Sequence, residues 1–110
     1  MSKVIKSPVD HFAGEVTLSD PLTFPQVFAV EDSVSASKAL GEDATVARYH
    51  HAALPGLLEC VEKWNIKGIS ESVTADTFPA TPRTEIGQII NWLMAEVIDL
   101  YEAGEPDPEA

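Results

Sequence analysis

The apolar positions of residues 81–101 follow a helical period and form the longest amphipathic segment of the chain. Thr81 and Pro82 suit a helix start, because a threonine hydroxyl caps first-turn amides and a proline there loses no hydrogen bond. Gly104, with prolines soon after it, supplies the stop. Apolar side chains spaced by three or four residues share one helix face, and here they are Ile86, Ile89, Ile90, Leu93, Val97, Leu100 and Tyr101. The pattern predicts a central helix with one buried face.

Residues 23–41 show a weaker helical pattern. Thr23, Phe24 and Pro25 make a second helix start of the threonine–proline type, and valines recur behind it at roughly helical spacing. Several β-branched and serine residues lower the helix propensity of this segment. Gly41 is expected to close the helix, because glycine adopts the left-handed conformation that often follows a helix end.

A further helical pattern covers residues 44–65, with Asp43 available as its N-cap. Pro55 lies inside the pattern. Proline removes a backbone hydrogen bond and clashes with the preceding turn, so we expect a kink or a break near residues 53–54. Beyond that point a second apolar stripe is expected to continue as helix up to Trp64.

Residues 14–19 alternate between polar and apolar side chains, which is the period of a half-buried strand. No second segment alternates as clearly. A lone strand leaves its backbone groups unpaired. Three possibilities therefore stay open: weak pairing with residues 69–74, pairing with the same segment of another subunit, or a merely extended segment.

Together these patterns predict a mainly α fold, a small helical domain of three to four helices with one short N-terminal β-strand or hairpin. Residues 1–13 are expected to form a flexible N-terminal arm, since Pro8 interrupts any regular element. Residues 14–104 are assigned to a single helical domain, because a chain of 110 residues suffices for one modest core. Residues 105–110 are expected to be an acidic flexible tail.

The strongly acidic composition narrows the classes of partner. The chain carries 18 acidic and 7 basic residues, a net charge of −11. Binding nucleic acid through its phosphates requires clustered lysine and arginine, so no nucleic-acid partner is expected. No apolar run is long enough to span a membrane, the N-terminus lacks a signal peptide, and a lone cysteine fits a reducing compartment. A soluble, cytoplasmic protein is the expectation.

Candidate chemical groups do not assemble into a site in the sequence. His50 and His51 are adjacent, so on a helix they point about 100° apart instead of sharing a face. Cys60 lies within an apolar stripe and has no neighbouring base, which favours a buried structural thiol. Acidic pairs are expected from composition alone. The sequence therefore predicts no catalytic residue, no cofactor, no metal site and no enzyme activity.

Two tryptophans and the central helix supply the candidate binding residues. Trp64 and Trp92 either pack in the core or anchor a partner, since tryptophan is enriched at binding hot spots. Leu93 and Val97 belong to the central stripe, and an apolar groove lined by such residues would bind a partner helix. Met94 widens the apolar surface beside Trp92. The surplus face near these two residues is the predicted docking surface.

Three segments in this order resemble a known family. They are DPLTFPQ at residues 20–26, LPGLLECVEKWNIKGI at residues 54–69, and FPATPRTEIGQIINWLMAEVIDLY at residues 78–101. The arrangement resembles small tail assembly chaperones and related tail-morphogenesis proteins of long-tailed bacteriophages, over roughly residues 12–104.

The resemblance implies a helical, non-enzymatic protein with no catalytic residues. It implies binding to the tape measure protein during tail assembly in the host cell cytoplasm, and self-association into a homo-oligomer. An acidic chain with surplus apolar stripes agrees with this, because a chaperone of apolar helices needs both. The alternatives are an acidic inhibitor that mimics nucleic acid, as anti-defence proteins do, and a small structural subunit of a phage particle.

Overall fold

The computed structural model of the protein describes residues 2–70 and 83–103. These residues form three β-strands and three α-helices, with one turn of 3-10 helix after the first strand. In chain order the elements are β1 (Ser2–Lys6), β2 (Gly14–Ser19), α1 (Phe24–Ala39), α2 (Val46–Glu59), β3 (Val61–Ile66) and α3 (Arg83–Ala103).

The strands form an antiparallel sheet in the order β1-β2-β3, so β2 is central. Both α1 and α2 lie in the connection between β2 and β3. Val16 pairs with Ile5 on one side and with Trp64 on the other, which places these three buried side chains in one row. The predicted mainly α fold with one short N-terminal strand or hairpin is therefore wrong, and the described residues have an α+β fold.

Strand β1 occupies residues that were expected to belong to a flexible arm. The segment is short and has lysines on both sides of two β-branched residues, and Val4 is exposed. It is held by pairing to β2 and by an ion pair, 2.8 Å long, between Lys3 Nζ and the Glu96 carboxylate on α3. Pairing with β2, which periodicity within residues 2–6 does not report, makes this segment a strand.

Strand β3 replaces the C-terminal part of the predicted second helix. Trp64 and Ile66 point into the core, whereas Lys63 and Asn65 are exposed, which is the alternation of a half-buried strand. None of the three possibilities left open for residues 14–19 is correct, since the two neighbours of β2 in the sheet are β1 and β3.

Helix α1 begins and ends where the sequence predicted. Thr23 and Gln26 form a reciprocal capping box, with the Thr23 amide donating to Gln26 Oε1 at 2.8 Å. Gly41, with a φ of +79°, follows the helix end. The Gln26 side-chain amide also donates to Ser19 Oγ at 3.1 Å and to the Glu59 carbonyl at 3.2 Å, which fixes the start of α1 to the sheet and to α2.

Helix α2 differs from the prediction at both ends. Its N-cap is Thr45, whose hydroxyl accepts from the Arg48 amide at 3.3 Å, and Asp43 does not cap it. The helix runs through Pro55 to Glu59, so the break predicted near residues 53–54 does not occur.

Close packing against α1 supports α2 just past Pro55. The Gly56 amide donates to Ser33 Oγ on α1 at 2.8 Å. A Cβ at Gly56 would lie 2.6 Å from the carbonyl oxygen of Ala29, so only glycine lets the two helices approach this closely here. Tertiary contacts thus stabilise a helix that local sequence rules would interrupt.

Helix α3 contributes the largest apolar face to the core, as predicted. Its described part begins at Arg83, and the predicted start at Thr81 and Pro82 lies outside the described residues, as does the predicted tail. One continuous core joins the sheet and the helices. Its buried members are Ile5, Val9, Phe12, Val16, Leu18, Val30, Leu54, Leu57, Cys60, Trp64, Ile66, Ile69, Ile89, Ile90, Leu93, Val97 and Leu100.

Candidate binding surface

Helix α1 is the least buried helix of the described fold. All of its residues are described, and Val30 alone among them is buried. Phe24 and Phe28 are 78% and 58% exposed, and Val34 is also exposed. A helix in a protein of this size ordinarily buries a continuous apolar stripe. The large apolar side chains of α1 therefore remain available for a partner.

The two exposed phenylalanines form a pair at the start of α1. Phe24 and Phe28 are one helical turn apart, their ring centroids lie 6.3 Å apart, and the ring planes differ by 22°. Stacking covers part of each ring but leaves the outer faces to solvent. This pair is the largest exposed aromatic surface among the described residues.

A groove runs between α1 and α3 over α2. We call it the helix groove. Helix α2 packs against both other helices, whereas α1 and α3 make few direct contacts with each other, so a gap is left between them. The gap contains an apolar cavity of about 230 Å³. Its lining residues are Val30, Ser33, Val34, Ser37 and Lys38 from α1, Tyr49, Ala53 and Leu57 from α2, and Met94 and Ile98 from α3.

One end of the helix groove is acidic. A second cavity, of about 520 Å³, shares Val30, Val34 and Ile98 with the first, so the two adjoin. It adds Glu31 and Asp32 to the lining, both exposed. Carboxylates in this position attract a cationic group on whatever enters the groove.

Tyr101 connects the two walls of the groove at this acidic end. Its hydroxyl donates to the Glu31 carboxylate at 2.8 Å, which joins α3 to α1. The opposite end of the groove is lined by Lys38 and by Tyr49, whose hydroxyl donates to the Gly41 carbonyl. The groove therefore has different charges at its two ends.

The residues predicted as binding residues separate into two groups in the structure. Leu93 and Val97 have no exposed surface, and Trp64 is 7% exposed with its indole N–H donating to the Ile69 carbonyl at 3.2 Å. These three side chains are in the core of the described fold.

Trp92 and Met94 are partly buried and pack against the edge of the core. They lie on opposite sides of α3, and Met94 lines the helix groove whereas Trp92 does not. Only the Met94 part of the predicted surface therefore lies at the helix groove, where residues of α1 form the other wall.

Sequence reasoning missed the contribution of α1 to this surface. Val34 of α1 and Ile98 of α3 line both parts of the groove, and Phe28, which lines neither part, is exposed elsewhere on α1. The signal for the aromatic pair was present, because Phe24 and Phe28 stand at the i, i+4 spacing of one helix face. Which face of α1 is buried depends on how it packs on α2, and the sequence pattern does not show that.

The histidines and carboxylates do not form a metal site within the described residues, where no group of three potential ligands comes together. His50 and His51 point apart. The His50 Nε2 atom lies 2.9 Å from Asn91 Oδ1, a hydrogen bond that joins α2 to α3. This histidine therefore has a structural contact.

Cys60 is expected to resist thiol reagents in the folded protein. The side chain has no exposed surface, and burial, with a smaller contribution from the Glu59 charge, raises the pKa of the thiol from 9.0 to about 11. Because only a thiolate reacts readily, a maleimide at neutral pH should modify the denatured chain fully and the native chain very slowly, as followed by intact mass spectrometry. Rapid modification of the native protein would contradict the buried position.

The raised pKa of the Cys60 thiol also predicts how the free energy of unfolding changes with pH. The folded-state pKa of Cys60 exceeds the unfolded value, so its contribution to the free energy of unfolding is fully present below pH 9 and is lost as the pH rises toward 11. A Cys60→Ala variant, compared with the native protein in denaturant melts, should lose this alkaline part of the pH dependence.

No family model matches the chain, and no curated protein or solved structure is significantly similar to it. Among the described residues, no helix has both the length and the apolar character that crossing a membrane requires.

Proposed function

We propose that the protein is a non-enzymatic binding protein that acts as a tail assembly chaperone of a long-tailed bacteriophage. In this proposal it binds the tape measure protein in the host cell cytoplasm and keeps that chain soluble until the tail tube forms. The single observation that carries the binding role is the apolar helix groove, to which α1 contributes the exposed Val34.

The physical support is the combination of an open apolar groove with a strongly acidic chain. Amphipathic helices bind by placing an apolar face into a hydrophobic groove. The groove is lined mainly by apolar and small side chains from three helices, so an added helix would complete the packing there. A net charge of −11 favours solubility while apolar side chains stay exposed. The link to phage tails rests on the resemblance of the three segments.

The proposal predicts that an acidic side chain placed in the groove strongly reduces capture of the partner. The experiment is co-expression of the tagged chain with a candidate tape measure protein, a long helical chain from the same genome, followed by affinity purification. The native chain should retain the tape measure protein in soluble form. Val34→Glu should reduce its recovery at least about tenfold, because an unpaired charge would face an apolar helix.

A matched control is Val46→Glu, which places the same charge at another exposed valine, at the start of α2 and away from the groove lining. Circular dichroism melts should show both variants folded. Equal recovery with both variants, or no capture by the native chain, would count against the proposed function.

A further inference from the structure

The length of the helix groove limits what can occupy it. Its lining on α1 extends from Val30 to Lys38. Eight helical steps correspond to about 12 Å, or roughly two turns. On α3 the lining extends from Met94 to Tyr101, with Tyr101 at the Glu31 end. The groove walls therefore run in opposite directions, and the lining is about as long as two turns of helix.

The floor of the groove selects apolar side chains. Val30, Val34 and Ile98 line both parts of the cavity, and Met94 and Leu57 extend this surface toward the Lys38 end. Such a surface fits apolar side chains that recur at i, i+3, i+4 and i+7 on one face of an entering helix. A uniformly polar segment would leave its own groups without partners there.

The carboxylates at the acidic end of the groove favour a positive charge beside the apolar stripe of the entering helix. Glu31 and Asp32 are exposed at one end of the groove, whereas Lys38 lines the other. Of the four carboxylate oxygens, one accepts from Tyr101. Lysine or arginine on the occupant would meet the acidic end, and a negative residue there would be repelled.

We propose that the helix groove binds an amphipathic α-helix of about two to three turns that carries lysine or arginine at the end of its apolar stripe facing Glu31 and Asp32. This inference rests on the proposed function, since it specifies the chemistry of the partner segment that the helix groove receives. The acidic end fixes the direction in which the segment lies, and the apolar floor supplies most of the affinity.

The test uses the full chain and synthetic helical peptides of about 14 residues that share one leucine stripe. Two peptides carry lysines, at the N-terminal or at the C-terminal end of the stripe, and two carry glutamates at the same places. Fluorescence anisotropy measures each Kd at low and at high ionic strength. One lysine peptide should bind about tenfold more tightly than its glutamate counterpart at low salt, and the difference should shrink at high salt.

Two pairs of substitutions distinguish attraction by the acidic end of the groove from general attraction to an acidic protein. Glu31→Gln with Asp32→Asn should weaken the lysine peptide about fivefold. Glu42→Gln with Asp43→Asn removes the same charge at exposed positions outside the groove lining and should change Kd less than about twofold. Equal effects of the two pairs would overturn the inference, because the attraction would then come from net charge alone.

Ile98→Ser tests the apolar floor and should weaken all four peptides, with a melting curve that confirms folding.

If the tape measure protein is captured in the co-expression experiment but Glu31→Gln with Asp32→Asn leaves that capture unchanged, the inference fails and the proposed function stands. If the lysine peptide binds as expected but no tape measure protein is captured, the proposed function fails. A dimer of the native chain that Ile98→Ser dissociates would assign the groove to a second copy and overturn the inference.

Discussion

Replacing Gly14 by alanine should lower the free energy of unfolding by at least about 3 kcal/mol. Gly14 has a φ of +145°, a conformation that side chains with a Cβ rarely adopt. An added Cβ would also lie 2.0 Å from the carbonyl oxygen of Asn65 and 2.8 Å from Ile66 Cα. Both atoms belong to the β3 backbone, so relieving the contact requires β2 and β3 to separate where Gly14 pairs with Ile66.

Urea denaturation followed by circular dichroism measures this loss. Gly41→Ala is the matched control, because Gly41 also has a positive φ, of +79°, but no atom within 4 Å of the added Cβ. Gly41→Ala should cost only the backbone strain, about 1 kcal/mol. If the two variants lose equal stability, the close approach of β3 to Gly14 is not the cause.

Leu93→Ala should lower the free energy of unfolding by about 2–5 kcal/mol, because its side chain is fully enclosed by the core and alanine would leave a cavity. Met94 is adjacent in sequence but partly exposed at the groove, so Met94→Ala should cost less than about 2 kcal/mol. Denaturant melts of both variants under the same conditions provide the comparison.

The same pair of variants distinguishes the core from the docking surface. Met94→Ala should weaken peptide binding to the groove, whereas Leu93→Ala should leave the affinity of the folded fraction within about twofold of the native value. A large loss of affinity in folded Leu93→Ala, with an unchanged melting curve, would return Leu93 to the binding surface that the sequence predicted.

Sequence patterns alone do not locate the candidate binding surface. Trp64 has the size and residue type of a binding anchor, yet it is buried in the row that it forms with Val16 and Ile5. Val34 is one of several valines on a segment with poor helix propensity, yet it lines the groove. Burial of a side chain depends on what packs over its face, and residue type is only a weak guide to that.

The sequence by itself determined the elements whose signals are local. The threonine–proline helix start at Thr23, the glycine stop at Gly41, the alternation of residues 14–19 and the apolar stripe of α3 all predicted what the structure has. Each of these signals depends on residues within a few positions of one another. Helix caps, glycine stops and hydrophobic periodicity act over that range.

Only the tertiary structure decided that residues 2–6 and 61–66 are strands, because each is defined by its pairing with β2. Residues 61–66 are separated from β2 by both α1 and α2, and residues 2–6 have no alternating pattern of their own. The tertiary structure also decided that α2 continues through Pro55, where Ser33 and Gly56 hold it against α1. The open side of α1 follows from the same packing, since of this helix only Val30 is buried, while Phe24, Phe28 and Val34 are exposed.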